Sequence, residues 1–114
     1  MKISILISSY NKGPYLEKCL HSCLNQTHQD YEVILLDNYS SDNTDLILEK
    51  YNKNIIIKKE KKISISPATN QLDLLRKAFL ISTGEIICLL DADDFFEDNK
   101  PVSYTHLRAH ETRG

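Results

Sequence analysis

Apolar and polar positions alternate between two rhythms along the first hundred residues, and the changes of rhythm mark out the elements. Ile3 to Ser9 is a β-branched run closing on polar residues, as expected of a strand covered on both faces. Gly13-Pro14 marks a turn, with Pro14 suited to the first turn of a helix. From Tyr15 to Gln26 the residues Leu16, Cys19, Leu20, Cys23 and Leu24 recur at helical spacing. Tyr31 to Leu36 is the next strand, ending at Asp37. The polar loop Asn38-Tyr39-Ser40-Ser41-Asp42-Asn43 leads into a helix covering Leu46, Ile47 and Tyr51, with Asp42 as its N-cap and Asp45 imitating a capping box.

Ile55-Ile56-Ile57 predicts a short third strand, and Lys58-Lys59-Glu60-Lys61-Lys62 after it reads as a solvated loop. Beyond Pro67 a helix is predicted over Gln71 to Ser82, with Leu72, Leu75, Phe79 and Leu80 inward and Gly84 ending it. The fourth strand, Glu85 to Leu90, runs into Asp91-Ala92-Asp93-Asp94. This alternation of strand and helix predicts an α/β, Rossmann-like, mainly parallel sheet with flanking helices. Right-handed crossovers then bring the carboxy-terminal ends of the strands to one edge.

Size and charge narrow the classes. At 114 residues the chain holds one domain at most, and 41% hydrophobic with 26% charged residues is ordinary for a globular protein. A net charge of −2 gives no long-range pull on nucleic acid, so no nucleic-acid partner is expected. No apolar run approaches the roughly 20 residues of a membrane span. Met1-Lys2 and Ile3 to Ile7 are too short for a signal peptide, so a cytoplasmic address is expected, the inner face of the membrane included. The three cysteines form no disulfide framework. Cys19 and Cys23 fit the apolar helix stripe, and Cys88 fits a strand as a small buried hydrophobe.

Residues 101–114 break the composition. They contain no Lys, Ile or Asn, carry two of the four histidines and lack a periodic apolar face. The expected organisation is therefore a domain over residues 1–100 and a non-native or disordered tail over 101–114, which resembles translated sequencing adaptor.

Chemistry concentrates at strand ends. Three carboxylates within four positions are expensive to bury unpaired, so they should emerge at the strand's carboxy-terminal end, where open α/β sheets bind ligands. A lone Asp-x-Asp also fits a solvated acidic turn. Asp37, at a second strand end on the same edge, favours a site. The first strand adds Ser8-Ser9-Tyr10-Asn11 there. Tyr10 can cover the face of a flat base while Ser9 and Asp37 hydrogen-bond its edge. Asp93, with a cation, can neutralise a diphosphate. No Gly-x-Gly-x-x-Gly and no Gly-Lys-Ser/Thr loop follows the first strand, so dinucleotide redox chemistry and P-loop hydrolysis are unsupported.

With these residues in place, the chain closely resembles family-two glycosyltransferases of the GT-A fold. The matching stretches are Ile3 to Asn11, Leu20 to Thr27, Glu32 to Asp37, Ser40 to Thr44, and Ser82 to Ile87 leading to Asp91-Ala92-Asp93-Asp94. The resemblance covers residues 2 to about 100 and implies the nucleotide-sugar-binding half of that fold, incomplete. It implies transfer of a sugar, with inversion, from a nucleotide-diphosphate sugar such as a UDP-sugar to a saccharide or lipid-linked acceptor. This is the chemistry of polysaccharide and cell-envelope synthesis. Ser9, Tyr10 and Asn11 would form the nucleobase side of the site, Asp37 would bind uracil or ribose, and Asp91 would contact the nucleoside. Asp93 would ligate Mn²⁺ or Mg²⁺ bridging the diphosphate. The catalytic base is expected downstream of the acidic motif, so no catalytic residue is assigned within the chain and the fragment alone is expected to be inactive.

Two departures from the family pattern stand out. Asp37-Asn38-Tyr39 replaces the common Asp-Asp-Gly, and Tyr39 cannot take positive φ as cheaply as glycine. Leu75-Arg76-Lys77-Ala78 holds the place of Arg-Asn-x-Gly, which leaves Arg76 without an assigned diphosphate role. The competing reading is a non-catalytic nucleotide-binding or interaction module. Nucleotidyl transfer is disfavoured, because Asn11-Lys12-Gly13-Pro14 is poor in the Gly and Arg/Lys that such loops carry.

Overall fold

A computed structural model of the chain describes residues 2–25, 30–53 and 55–92, together with the backbone of 106–107. Seven main elements appear in the expected alternation: β1 (Ile3–Ser9), α1 (Gly13–Leu24), β2 (Tyr31–Asp37), α2 (Thr44–Tyr51), β3 (Ile56–Lys59), α3 (Pro67–Ile81) and β4 (Ile86–Asp91). The sheet order is β3-β2-β1-β4, all parallel, and β5 (His106–Leu107), inside the stretch set apart by composition, pairs antiparallel with β4.

β1 is central and buried throughout, which is why its sequence is a continuous apolar run rather than an alternating one. Its pleat still sorts the side chains. Ile3, Ile5 and Ile7 join Val33, Leu35 and Cys88 beneath Leu16, Cys19, Leu20 and Cys23 of α1 and Ile47 and Leu48 of α2. Leu6 faces the other way and packs with Ile34, Leu36 and Ile87 under Leu74 and Ala78 of α3. Each fully buried leucine or isoleucine contributes roughly 1.5–3 kcal/mol, so these two layers hold the sheet.

Several expectations are corrected at the element ends. The α2 N-cap residue is Asn43, and its side chain makes no capping bond. Asp42 does the satisfying from one residue earlier: Oδ1 accepts from the Thr44 backbone N–H at 3.0 Å and from the Thr44 hydroxyl, and Oδ2 accepts from the Gly13 N–H at 3.0 Å. One carboxylate thereby serves the amino ends of both α1 and α2, and these bonds hold its pKa low despite the opposing effect of burial. Asp45 closes no capping box and instead pairs with Lys59. β3 extends through Lys58 and Lys59, so part of the expected lysine loop is strand.

α3 begins at Pro67, earlier than predicted, where Ser66 accepts the Thr69 N–H as N-cap. Its inward row is Asn70, Leu74 and Ala78, with Asp73 also buried and Leu75 and Phe79 partly so. Leu72 and Leu80 are 68% and 67% exposed, against expectation. Gly84 does not end α3 through a left-handed turn, since among the described residues no glycine has positive φ. It is required by close approach: a Cβ there would lie 2.5 Å from Ser4 Oγ and 2.7 Å from Ser4 N.

Candidate functional site

The parallel register sets the strand ends level. Ser9 stands opposite Asp37 on β2, and Ser8 stands opposite Asp91 on β4. Strand order runs outward from β1 in both directions, so the crevice where open α/β sheets bind ligands falls at these ends. A cleft of about 530 Å³ lies there, lined by Ser8, Ser9, Tyr10, Lys12, Asn38, Lys62, Ser64, Ile65, Pro67, Asn70, Gln71, Leu74 and Asp91.

The floor is unusual in its hydrogen bonding. Ser8 and Ser9 are each 2% exposed, yet neither hydroxyl finds a partner among the described residues. A buried polar group left short of a bond costs about 1–3 kcal/mol, and two adjacent ones at the bottom of a cleft are suited to meet a polar ligand. On one side Tyr10 presents a 40% exposed ring, with the Lys62 ammonium 3.3 Å from its centroid. On another side, Asp91 Oδ1 accepts from the Ala92 N–H at 2.7 Å and Oδ2 from the Gln71 amide at 3.2 Å.

Asn11 and Asp37 lie beside the cleft rather than in its lining. Asp37 is fully buried and accepts the Ser40 hydroxyl at 2.5 Å and the Ser40 N–H at 2.8 Å, with Lys59 Nζ 3.9 Å away. Asn11 donates its N–H to Ser40 Oγ at 2.8 Å and accepts from the Ser41 N–H at 2.7 Å. The two residues thus bind the β1–α1 and β2–α2 loops into one piece. Asn11 and Tyr39 both adopt φ of 51°, a left-handed conformation costing roughly 1–2 kcal/mol for a residue with a Cβ. The turn that a glycine would make cheaply is therefore made by Tyr39, with Lys59 Nζ 5.8 Å from its ring centroid.

Of the residues named from sequence, the structure brings Ser9, Tyr10 and Asp91 to the cleft. Asp93 lies outside the described residues. Arg76 is 77% exposed and faces Asp73 at 4.0 Å, away from the cleft lining. Ser8, expected at the same edge, lines the cleft with Ser9, Tyr10 and Asp91; sequence reasoning missed Lys62, Asn70 and Gln71. Asn70 is 6% exposed, accepts the Ile63 and Ser64 N–H groups at 3.0 Å each, and donates to the Ser64 carbonyl at 2.7 Å. It staples the strap after β3 to α3. The signal that could have found it is the row 70, 74, 78, spaced at one helical face with an asparagine at its head.

The cysteines stay in the core. Cys19, Cys23 and Cys88 are free and buried. Burial pushes the Cys88 thiol up to about 11, while a hydrogen bond with Cys19 and then burial push Cys23 up as well. Among the described residues no three His, Cys, Asp or Glu side chains are grouped to hold a metal ion, and no helix is long and apolar enough to cross a membrane.

Comparison with known proteins agrees with this geometry. An uncharacterized glycosyltransferase of Nostoc sp. is 33% identical over 104 residues, which cover 88% of this chain and 30% of that one. The poly(ribitol-phosphate) beta-glucosyltransferase of Bacillus spizizenii is 36% identical over 83% of this chain and 15% of its own length. The chain thus spans about a third or less of these relatives. Among solved structures, S. aureus TarS superposes with a TM-score of 0.66 at 27% identity, covering 83% of this chain and 28% of TarS, and TarS has been solved with UDP and with UDP-GlcNAc. A mannosyltransferase from Pyrobaculum calidifontis shares the fold at 20% identity and a TM-score of 0.67. The family model for glycosyl transferase family 2 matches residues 4–103, and the chain belongs to that family.

Proposed function

We propose that this chain is the donor-binding half of a glycosyltransferase that takes a nucleotide-diphosphate sugar, a UDP-sugar, and transfers the sugar with inversion to a saccharide or lipid-linked acceptor in the cytoplasm. The observation that carries the reading is the cleft floor: two buried serine hydroxyls without partners among the described residues, beside an exposed tyrosine. A flat base stacked on Tyr10 would place its polar edge near Ser8 and Ser9, supplying the bonds they lack. The TarS complexes with UDP and UDP-GlcNAc, at 27% and 28% identity, support a uridine nucleotide.

Asp37 acts in this reading from behind the floor, holding the Ser40 turn and offering a carboxylate edge to uracil or ribose once that turn shifts. Asn11 keeps the same loop in place. Asp91 faces the nucleoside, already oriented by Gln71. The residues also fit a divalent cation. Carboxylate oxygens are the donors that Mg²⁺ or Mn²⁺ prefers, and one or two suffice when a diphosphate supplies the rest, so a three-residue cluster is not needed. Asp93, which lies outside the described residues, would hold the ion, and Asp91 at the cleft offers a further carboxylate. When bound, the ion would offset the negative charge of the diphosphate as the bond to the sugar breaks. The base that takes the acceptor proton is assigned to the remainder of the parent protein.

Isothermal titration with UDP tests this. UDP should bind in Mg²⁺ or Mn²⁺ and weaken in chelator, and Tyr10→Ala should lose about 1–3 kcal/mol of the binding. Equal affinity with and without metal would remove the cation from the scheme. A Tyr10→Ala variant that binds like the parent would move the base away from this cleft.

A further inference from the structure

The lysine run that begins in β3 and continues past it is only partly a solvated loop. Lys59 is engaged by Asp45 and lies 3.9 Å from Asp37. Lys62 has no salt bridge among the described residues, and its ammonium sits 3.3 Å from the centroid of the Tyr10 ring, inside the cleft. That position matters because stacked groups approach to about 3.5 Å, the contact distance of carbon atoms. An ammonium and a base cannot both occupy this face of Tyr10. Whatever stacks on this face must first displace Lys62.

The displaced cation has somewhere to go. Among the described residues the charged side chains lining the cleft are Lys12, Lys62 and Asp91, two cations to one anion in a chain whose overall charge is −2. An ammonium on a flexible four-carbon stem is a mobile point charge suited to phosphate oxygens. Its backbone can stay still meanwhile, since Asn70 pins the next two residues, Ile63 and Ser64, to α3. The exchange needs only side-chain rotation.

We propose that Lys62 has two positions: on the Tyr10 ring when the cleft is empty, and on the diphosphate of the donor when a base takes the ring. This rests on the nucleotide reading above and adds to it a specificity-determining residue that couples base stacking to phosphate capture. A ligand with a base but no phosphate displaces the ammonium and offers it nothing, whereas a nucleoside diphosphate returns a charge-assisted contact.

The experiment compares UDP with uridine on the full chain in Mg²⁺, for the parent, Lys62→Met and Lys62→Arg. Methionine keeps an apolar stem and removes the charge, and arginine keeps the charge. Lys62→Met should weaken UDP about tenfold, the scale of one charge-assisted contact, and leave uridine unchanged or slightly tighter, while Lys62→Arg stays within about threefold of the parent for UDP. Thermal melts matched to the parent confirm that the variants are folded. If Lys62→Met weakens UDP and uridine by the same factor, or leaves UDP unaffected, the two-position role is overturned while the donor site stands. A parent chain that binds no UDP overturns the donor site and this role with it.

Discussion

Ser4 and Ser8 lie on the same strand and point to the same face of the sheet, four residues apart, yet their surroundings differ in kind. Ser4, near the amino-terminal edge, donates to Glu32 Oε2 at 2.5 Å and accepts the Gly84 N–H at 2.8 Å. Glu32 also accepts the Thr83 N–H at 2.7 Å and hydroxyl at 3.2 Å, and Lys2 stands 3.5 Å away. Ser8, at the carboxy-terminal edge, has no partner among the described residues, and neither has Ser9. The polar network around Ser4 is closed, whereas at the carboxy-terminal edge the satisfied bonds of Asp37 and Asp91 flank two open hydroxyls, Ser8 and Ser9. The closed edge serves stability, and the open edge gives some up to keep hydrogen-bonding capacity for a ligand.

The largest expected effect breaks the closed edge. Gly84→Ala forces a Cβ against backbone, where it has no room, and should destabilise the fold by about 1–3 kcal/mol in urea denaturation. UDP affinity of the folded protein should hold. A wild-type melt for this variant would mean the edge is looser than its contacts indicate. Paired serine substitutions sharpen the comparison next. Ser4→Ala strands the Gly84 N–H and should cost about 1–2 kcal/mol, whereas Ser8→Ala removes a hydroxyl with nothing to lose and should be neutral or slightly stabilising. Equal losses in the two would erase the distinction between the edges.

The smallest effect is a pH dependence. Burial raises the Glu32 pKa, but the bonds from Ser4 and Thr83 and the nearby Lys2 outweigh it, so the folded value lies below the ordinary 4.5. A group depressed in the folded state contributes stability above its unfolded pKa and loses it as pH falls through the folded one. The parent should therefore exceed Glu32→Gln by about 1 kcal/mol at neutral pH, with the gap narrowing below about pH 4.5. Denaturation at matched pH values checks this. A gap that widens in acid would reverse the sign.

Much of the scaffold was legible because its rules are local. β1, β2 and β4 match the expected apolar runs to within a residue or so, but Asp37 at the end of β2 stays fully buried, satisfied by Ser40 instead of by solvent. What was not legible arrives by crossover. The strap carrying Lys62 has no periodicity, and only the fold brings it over Tyr10. The inward face of α3 was misread because Asn70 and Asp73 are buried through hydrogen bonds and an ion pair with Lys77 at 3.1 Å, which an apolar pattern does not register. Leu72 and Leu80 took the expected places on paper only. The Asp-Asp-Gly departure gave the opposite lesson: Tyr39 keeps the left-handed turn in spite of its side chain.

The central position of β1 also sets an order of assembly. Ile3 pairs with Tyr31 on one side and with Ile86 on the other. During synthesis β1, α1 and β2 can join once Asp37 has emerged, but the second edge of β1 must wait for β4. At roughly 5–20 residues per second the wait lasts several seconds. Through that interval Ile5, Leu6 and Ile7 border an unpaired parallel edge, a template for association with other nascent chains. A chain delayed between β2 and β4 is thus most exposed at the strand that becomes its best-buried element.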